Sequence, residues 1–582
     1  MNQRWKLRAH DAALVQSIER SAGVSPVVAQ ILALRGITQP AKVTSFLDLK
    51  MTGLLPPEEL PGLPAAVDVI MAGIADGRKI MIYGDYDCDG MTSTAIMYLT
   101  LKKLGADVSY HVPNRLGDGY GVSNEGLDKI AKRGAQLVIT VDCGISSVDQ
   151  VEYAKTLGMD MVITDHHQFG SKLPDARAIV HPALPDHEYP FHGLCGAGVA
   201  FKLSWALCKS HVGSDKLPPD FREFLFSMVA LAAIGTVADV VPLLDENRLI
   251  VHHGLGCMRR FSGPGLKYLM KLAGLDERPE LESDDIGFQI GPRLNAAGRL
   301  GQAQLGVEIL TCDSPDRAIA LGDYLDKLNA NRKSIERKIF TSAKKAIKAN
   351  FDPASEPALV ISDNDWHLGV IGVVAGKIAE HYHRPSIVIS VDPLGNRPAT
   401  GSCRSSCGVD LFRALQGCSD LLIRFGGHSG AAGLTIDPGN IDAFREAFCH
   451  HVLEQVGSGE IEPELEIDAE ALISQMTLPT MNELKKLAPF GHLNPRPLLC
   501  ATGVRLSEPP KTMGDGSHIA LRLEQQNSRI RAVGFGKGDW LKNIDAENGL
   551  YDFAFKPVIN DFMGRRRVEL QLVDFRPSED DT

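Results

Sequence analysis

Long apolar runs, paired cysteines and positive charge are all scarce in this chain, and each scarcity removes a class of protein. The longest apolar stretches, such as 228–234, are too short and too interrupted to span the roughly 30 Å apolar core of a bilayer, so no membrane association is expected. The basic start MNQRWKLRAH has no apolar stretch behind it and is not read as a secretory signal. The 11 cysteines are scattered, odd in number and free of any C-x-x-C pair, which argues against a disulfide scaffold. Cys403 and Cys407 are the closest pair and lack the second pair that a zinc site would need. Buried thiols in a reducing cytoplasm are therefore expected. A net charge of −11 argues against a broad basic surface, so any contact with nucleic acid must use a dedicated channel. Carboxylates gathered around metal ions would themselves inflate the acidic count.

What remains is a long chain of ordinary globular composition, with 582 residues suggesting three or four domains. From residue 79 to about 185 the pattern is strand, turn, helix, repeated. KIMIY (79–83) reads as a buried strand, 91–105 as a helix ending in glycine, and DVSYHVPN as a second strand. SNEGLDKIAKRG has a serine N-cap, and QLVITVD, MDMVITD and RAIVHP supply further strands. Such alternation predicts an α/β fold with a doubly wound, mostly parallel sheet. A charged amphipathic helix over 316–350 connects this to a second α/β domain with the glycine-rich loop GGHSGAAG (426–433). The tail beyond about 460 begins acidic and helical, then changes to five short strands, which suggests a small OB-like β-barrel. The predicted division is an N-terminal helical segment 1–50, a catalytic domain 51–315, the helix 316–350, a second α/β domain 351–455 and a nucleic-acid-binding barrel 456–582.

In a parallel sheet, ligands bind beyond the carboxyl ends of the strands. Asp85, Asp87 and Asp89 follow the first strand, Asp142 ends the third, and Asp165-His166-His167 follows the fourth. Three carboxylates in one turn repel unless a cation or protons neutralise them. For that turn alone, metal binding and a solvated or helix-capping acidic turn remain equal alternatives. Asp142 at the end of an apolar strand, two histidines and Asp239 within AAIGTVADVVPL make a binuclear metal centre the economical account. Two divalent ions about 4 Å apart suit phosphodiester hydrolysis without a covalent intermediate. No G-x-S-x-G, Walker loop or HExxH pattern offers a competing chemistry.

GDYDCDG (84–90), VDCGIS (141–146), TDHH (164–167) and GTVADVVPL (235–243) resemble the four motifs of the DHH phosphoesterase superfamily. FGGHSGAAG (425–433) is similar to the signature of the accompanying DHHA1 domain. GPRLNAAGRL (291–300), GSCRS (401–405) and PFGHLNPRP (489–497) narrow the resemblance to the RecJ branch, and it covers nearly the whole chain. It implies that Asp87 and Asp89 are metal ligands, with Asp85 a ligand or close partner, Asp142 bridging, and His166 and Asp239 completing a site for two Mn²⁺ or Mg²⁺ ions. By the same resemblance His167 faces the scissile phosphate and Asp165 orients a histidine. Arg115, Ser402 and Arg404 would grip a terminal 5′ phosphate, Arg293 and Arg299 the strand's backbone, and Tyr120 a base. Gly426, Gly427 and His428 would approach phosphates. The implied activity is 5′-to-3′ degradation of single-stranded DNA to mononucleotides in repair and recombination. A single-strand-binding protein and a RecQ-type helicase are the implied partners.

Two departures stand out: Tyr83 where some relatives have histidine, and Cys143 and Cys403 where other residues are common. Neither removes a proposed ligand. The alternatives are a phosphodiesterase of short oligonucleotides or cyclic dinucleotides, which is typically smaller and lacks the barrel, and a replication scaffold with a decayed metal site.

Overall fold

Short β-branched and apolar runs, each closed by a turn and an amphipathic helix, pack as a parallel sheet because only helices on both faces can bury strands that are apolar all round. In the computed structural model, which describes residues 4–7, 11–114, 121–351, 356–457, 464–545, 549–562 and 565–578, this is what forms. The chain divides into two compact units, 54–461 and the discontinuous pair 1–53 with 462–582.

In the first of these units the order is β1 (Ile80–Tyr83), α1 (Cys88–Lys103), β2 (Val108–His111), α2 (Asn124–Lys132), β3 (Leu137–Val141), α3 (Val148–Thr156), β4 (Asp160–Thr164) and β5 (Ala178–Val180). The strands lie in the order β2-β1-β3-β4-β5, and every pairing is parallel. The chain leaves β1 toward one side and returns to the other, so the switch point lies between β1 and β3. All four residues of β1 are buried, as are all five of β3. Ser123 caps α2 through its side chain, as its sequence predicts.

Three helices follow: α4 (Gly196–Val212), α5 (Pro219–Ala238) and α6 (Asp245–Phe261). Contrary to the expectation from short apolar runs, α5 has the length and composition to cross a bilayer, with 20 residues and a mean hydropathy of 1.6. It lies instead within the unit, packed on α1, α4 and α6, and 56 % of the stretch is buried. Next come α7 (Gly291–Arg299) and the long α8 (Pro315–Asn350), an unbroken helix of 36 residues capped by Ser314.

The glycine-rich region belongs to a mixed sheet in the same unit. Its elements are β6 (Leu359–Asn364), α9 (Leu368–Tyr382), β7 (Ser386–Val391), β8 (Ala399–Arg404), β9 (Leu422–Gly427) and β10 (Ala431–Ile436). The strand order is β9-β10-β8-β7-β6, parallel only between β6 and β7.

The discontinuous unit closes a barrel from five strands, Leu499–Leu506, Tyr551–Phe562, Arg565–Pro577, Ser528–Gly534 and His518–Gln525, the last pairing back to the first. Helices Ala12–Ala22, Pro26–Leu34 and Pro40–Leu47 share its core, where Val28, Ile31 and Leu32 join Leu521, Phe553, Phe555 and Leu570. The N-terminal segment is thus part of the barrel's unit. The tail also begins differently from its helical expectation: Glu464–Ile467 is a strand parallel to Arg4–Leu7. Pairing across the whole sequence overrides local helix preference there, and it lets Leu465 and Ile467 pack with Trp5 and Leu498.

Candidate metal centre

The first acidic turn is built by a helix start. Asp87 caps α1 by accepting a hydrogen bond from Gly90 N–H at 3.0 Å, and Asn295 of α7 accepts from Cys88 N–H at 2.9 Å. α7 comes close enough that a methyl on Gly298 would stand 1.9 Å from the Tyr86 carbonyl oxygen. Asp142 leaves β3 with φ at 61°, the left-handed turn that swings its carboxylate toward the first motif. Asp239 is the C-cap of α5.

These separate segments converge. Ligand atoms of Asp85, Asp87 and Asp142 lie within 4.8 Å of one another, as do those of Asp89, His166 and Asp239, and those of Asp142, His166 and His167. His166 Nε2 stands 3.1 Å from Asp142 Oδ1, 3.6 Å from Asp239 Oδ2 and 3.7 Å from Asp89 Oδ2. Asp142 Oδ1 and His166 Nε2 are buried, and neither makes a well-directed hydrogen bond among the described residues. Burial, reinforced by the surrounding carboxylates, raises Asp142 and Asp239 well above the ordinary carboxylate range, and burial raises Asp89. Burial first, then His167, lowers His166 to about 4, so this imidazole is neutral and free to donate its lone pair. Clustered oxygen donors with one neutral imidazole fit divalent cations of the Mn²⁺ and Mg²⁺ kind.

Asp165 plays a different part. Its carboxylate accepts from Ile145, His166 and His167 N–H at 2.9, 2.7 and 3.1 Å, and it pairs with His167 Nδ1 at 2.8 Å. Burial pushes Asp165 up, but the His167 hydrogen bond and charge prevail and bring it down to about 2. Burial likewise lowers His167, and the same pair outweighs it, to about 9. The pair is a preformed ion pair beside the acidic cluster.

Three supports carry no motif signature in the sequence. The first turn of α4 holds Asp89, whose oxygens accept from Gly196 N–H at 2.7 Å and Ala197 N–H at 2.9 Å. The glycine is needed, because a methyl on Gly196 would stand 2.6 Å from Asp142. His181, which is buried, lies with Nε2 2.9 Å from the His167 carbonyl oxygen, while its Nδ1 accepts from Ala183 N–H at 3.0 Å. The local run GLCGAG was a readable hint of a helix start; the His181 bridge depends wholly on the fold.

The predicted strand-binding residues fare unequally. Ser402 and Arg404 share one face of β8, with Arg404 Nη1 donating to Ser402 Oγ at 3.2 Å and to the Cys403 carbonyl at 2.7 Å. Gly372 of α9 faces them, since a methyl there would lie 3.0 Å from Ser402 Oγ and 3.2 Å from Arg404 Nη2. Gly433 pairs with both Ser402 and Gly426, so the glycine-rich strand lies directly beside Ser402 and Arg404. Gly426, Gly427 and His428 are exposed at the β9 hairpin end. Arg299 donates to the Gly369 carbonyl at 3.0 Å. Arg293 departs from expectation: it bonds Asp326, the Gln289 carbonyl and the Leu272 carbonyl at 2.9, 2.7 and 3.2 Å, so its guanidinium braces helices instead of offering a free fork. Arg115 and Tyr120 lie outside the described residues. All 11 cysteines are free thiols.

A parallel sheet with acidic motifs at its switch point, followed by a glycine-rich mixed sheet, defines the DHH class of proteins. Residues 79–233 match the DHH family N-terminal domain, 355–454 the DHHA1 domain and 467–574 the RecJ OB domain. The single-stranded-DNA-specific exonuclease RecJ of Bacillus subtilis is 37 % identical over 576 residues, covering 99 % of this chain and 71 % of that protein. The protein of the same name from Salmonella typhimurium is 36 % identical, covering 99 % of this chain and 100 % of its own. The crystal structure of RecJ in complex with Mn²⁺ from Thermus thermophilus superposes with a TM-score of 0.83 at 30 % identity, covering 99 % of this chain and 80 % of that one. The chain belongs to the RecJ family.

Proposed function

We propose that the chain is a metal-dependent exonuclease that degrades single-stranded DNA from its 5′ end. The reading rests above all on Asp142, whose carboxylate belongs both to the group with Asp85 and Asp87 and to the group with His166 and His167. One cation would be held by Asp85, Asp87 and Asp142, the other by Asp89, His166, Asp239 and the shared Asp142. Bound there, two divalent ions supply Lewis acidity toward the phosphoryl oxygens and a water nucleophile active at neutral pH.

The chain's own residues do the rest. Protonated His167, held by Asp165, places positive charge where the phosphoryl group gains negative charge. The α4 amides fix Asp89, and His181 fixes the backbone of the histidine pair. Ser402 and Arg404 grip the terminal phosphate, aided by Arg115 and by the exposed Gly426-Gly427-His428 edge; a guanidinium fork suits that task. Arg299 contacts the strand backbone and Tyr120 a base, while Arg293 acts as a structural brace. The barrel supplies further contact with single strands. We place the activity in the cytoplasm, with a single-strand-binding protein and a RecQ-type helicase as partners in repair and recombination.

The test is digestion of strands labelled at either end, alongside dinucleotides, with Mn²⁺ and Mg²⁺ compared. Mononucleotides released first from the 5′ end of long strands support the reading. Cleavage confined to dinucleotides overturns it.

A further inference from the structure

Close to the metal centre the chain exposes two large apolar side chains that the chemistry above does not use. Val240 directly follows Asp239 and is 64 % exposed, and Phe288 is 73 % exposed. Val240 holds φ at 61°, a left-handed conformation that a β-branched residue adopts only at a cost in strain. Phe288 is the middle residue of a single π-helical turn, Ile286–Ile290, that leads straight into α7. Such turns are rare and concentrate at functional sites.

The two belong to one end of one helix. A methyl on Gly287 would stand 3.7 Å from Val237 Cγ1, and one on Gly291 would stand 3.5 Å from Ala238 Cβ. The π turn is thus seated on the last turn of α5, the turn that ends in Asp239. The other end of α7 lies over the first acidic turn, through Asn295 and Gly298. Two exposed apolar side chains therefore flank the end of α5 that carries Asp239, beside a centre that acts on a phosphodiester. The group joined to that phosphate which has an apolar face is the nucleobase, and exposed aromatic rings bind bases by stacking.

We propose that Phe288, with Val240 beside Asp239, forms a stacking ledge for bases at the 5′ end of the strand, so that Phe288 sets how strongly the enzyme depends on bases near the scissile phosphate. This rests on the nuclease reading above. The ledge recognises any base, because it offers a ring face and no polar group.

The test compares full-length protein on two 5′-phosphorylated strands, one ordinary and one whose first three nucleotides are abasic, by kcat/KM with Mn²⁺. The unaltered protein is expected to prefer the ordinary strand about tenfold. Phe288→Ala should reduce that preference to about twofold, with the abasic strand cleaved as before, and Phe288→Trp should retain it. Because Phe288 is exposed, neither change disturbs a core. A Phe288→Ala protein that keeps the full preference, or an unaltered protein that shows none, overturns the ledge. An unaltered protein that cleaves neither strand overturns the nuclease reading, and the ledge with it.

Discussion

The two five-stranded sheets of the larger unit solve opposite electrostatic problems. The parallel sheet sends the ends of three strands to one edge, where they meet Asp239 from the end of α5, and the carboxylates gather there buried or half-buried. The mixed sheet runs mostly antiparallel, and what it offers at Ser402, Arg404 and Gly426-Gly427-His428 is neutral or basic and partly open to solvent. One concentrates carboxylates whose mutual repulsion cations or protons must relieve; the other concentrates hydrogen-bond donors that suit an anion. The chemistry lies in the direction of strands as much as in residue type, because antiparallel strands would scatter Asp85, Asp142 and Asp165 over two edges.

Removing the shared carboxylate should break the first half of that contrast most completely. Asp142→Ala is expected to lose more than the ~10–100-fold typical of residues that merely orient ligands, while circular dichroism and melting show the fold retained. Full activity in this variant would contradict a shared site.

The ion pair beside the centre gives the next effect. Asp165→Asn should cost about 10–100-fold in kcat and let His167 fall from about 9 toward its ordinary value near 6.5, measured by NMR titration of metal-free protein. The sign of its stability effect follows from the two shifts. Asp165 is lowered to about 2, so its share is present above its ordinary range near 3.9 and lost as pH falls through about 2. His167 is raised, so its share is complete below about 6.5 and lost as pH rises through about 9. The melting difference between the unaltered and Asp165→Asn proteins, metal-free, should be greatest between about pH 4 and 6.5 and shrink on both sides.

The other sheet is tested by its arginine. Arg404→Ala should raise KM for 5′-phosphorylated strands about tenfold, as expected for losing a charge-assisted hydrogen bond, and raise it far less for strands ending in a hydroxyl. Arg404→Lys should recover only part, since an ammonium lacks the planar fork. Equal losses on both strand types would remove the division of labour. The smallest effect probes how the first sheet's turn is held. Gly298→Ala forces a methyl to within 1.9 Å of the Tyr86 carbonyl, so it should destabilise by about 1–3 kcal/mol in denaturant melts and weaken metal binding with it.

Much of this centre was readable in advance because its signals are local. The apolar run before Asp85, Asp142 and Asp165 marks a strand, the glycine or cap after it marks a turn, and a parallel sheet then gathers the ends, whereas Asp239 arrives from the end of helix α5. The long helix was equally plain from its charge pattern, and it forms from Pro315 to Asn350. What escaped depends on contacts between distant segments. Nothing local to Arg293 reveals Asp326 waiting on α8, and nothing near Glu464 reveals Arg4–Leu7 as a partner strand. The grip of α4 on Asp89 spans more than one hundred residues of sequence, between Asp89 and the amides of Gly196 and Ala197. Asp85, left open between ligand and neighbour by its sequence, shares a cluster with Asp87 and Asp142.

The central claim is that two cations share Asp142, and anomalous scattering from crystals soaked in Mn²⁺ tests it most directly. Two peaks are expected, one ringed by Asp85, Asp87 and Asp142 and the other by Asp89, His166, Asp239 and Asp142. A single peak, or two peaks with Asp142 bound to neither or only one, would contradict the account.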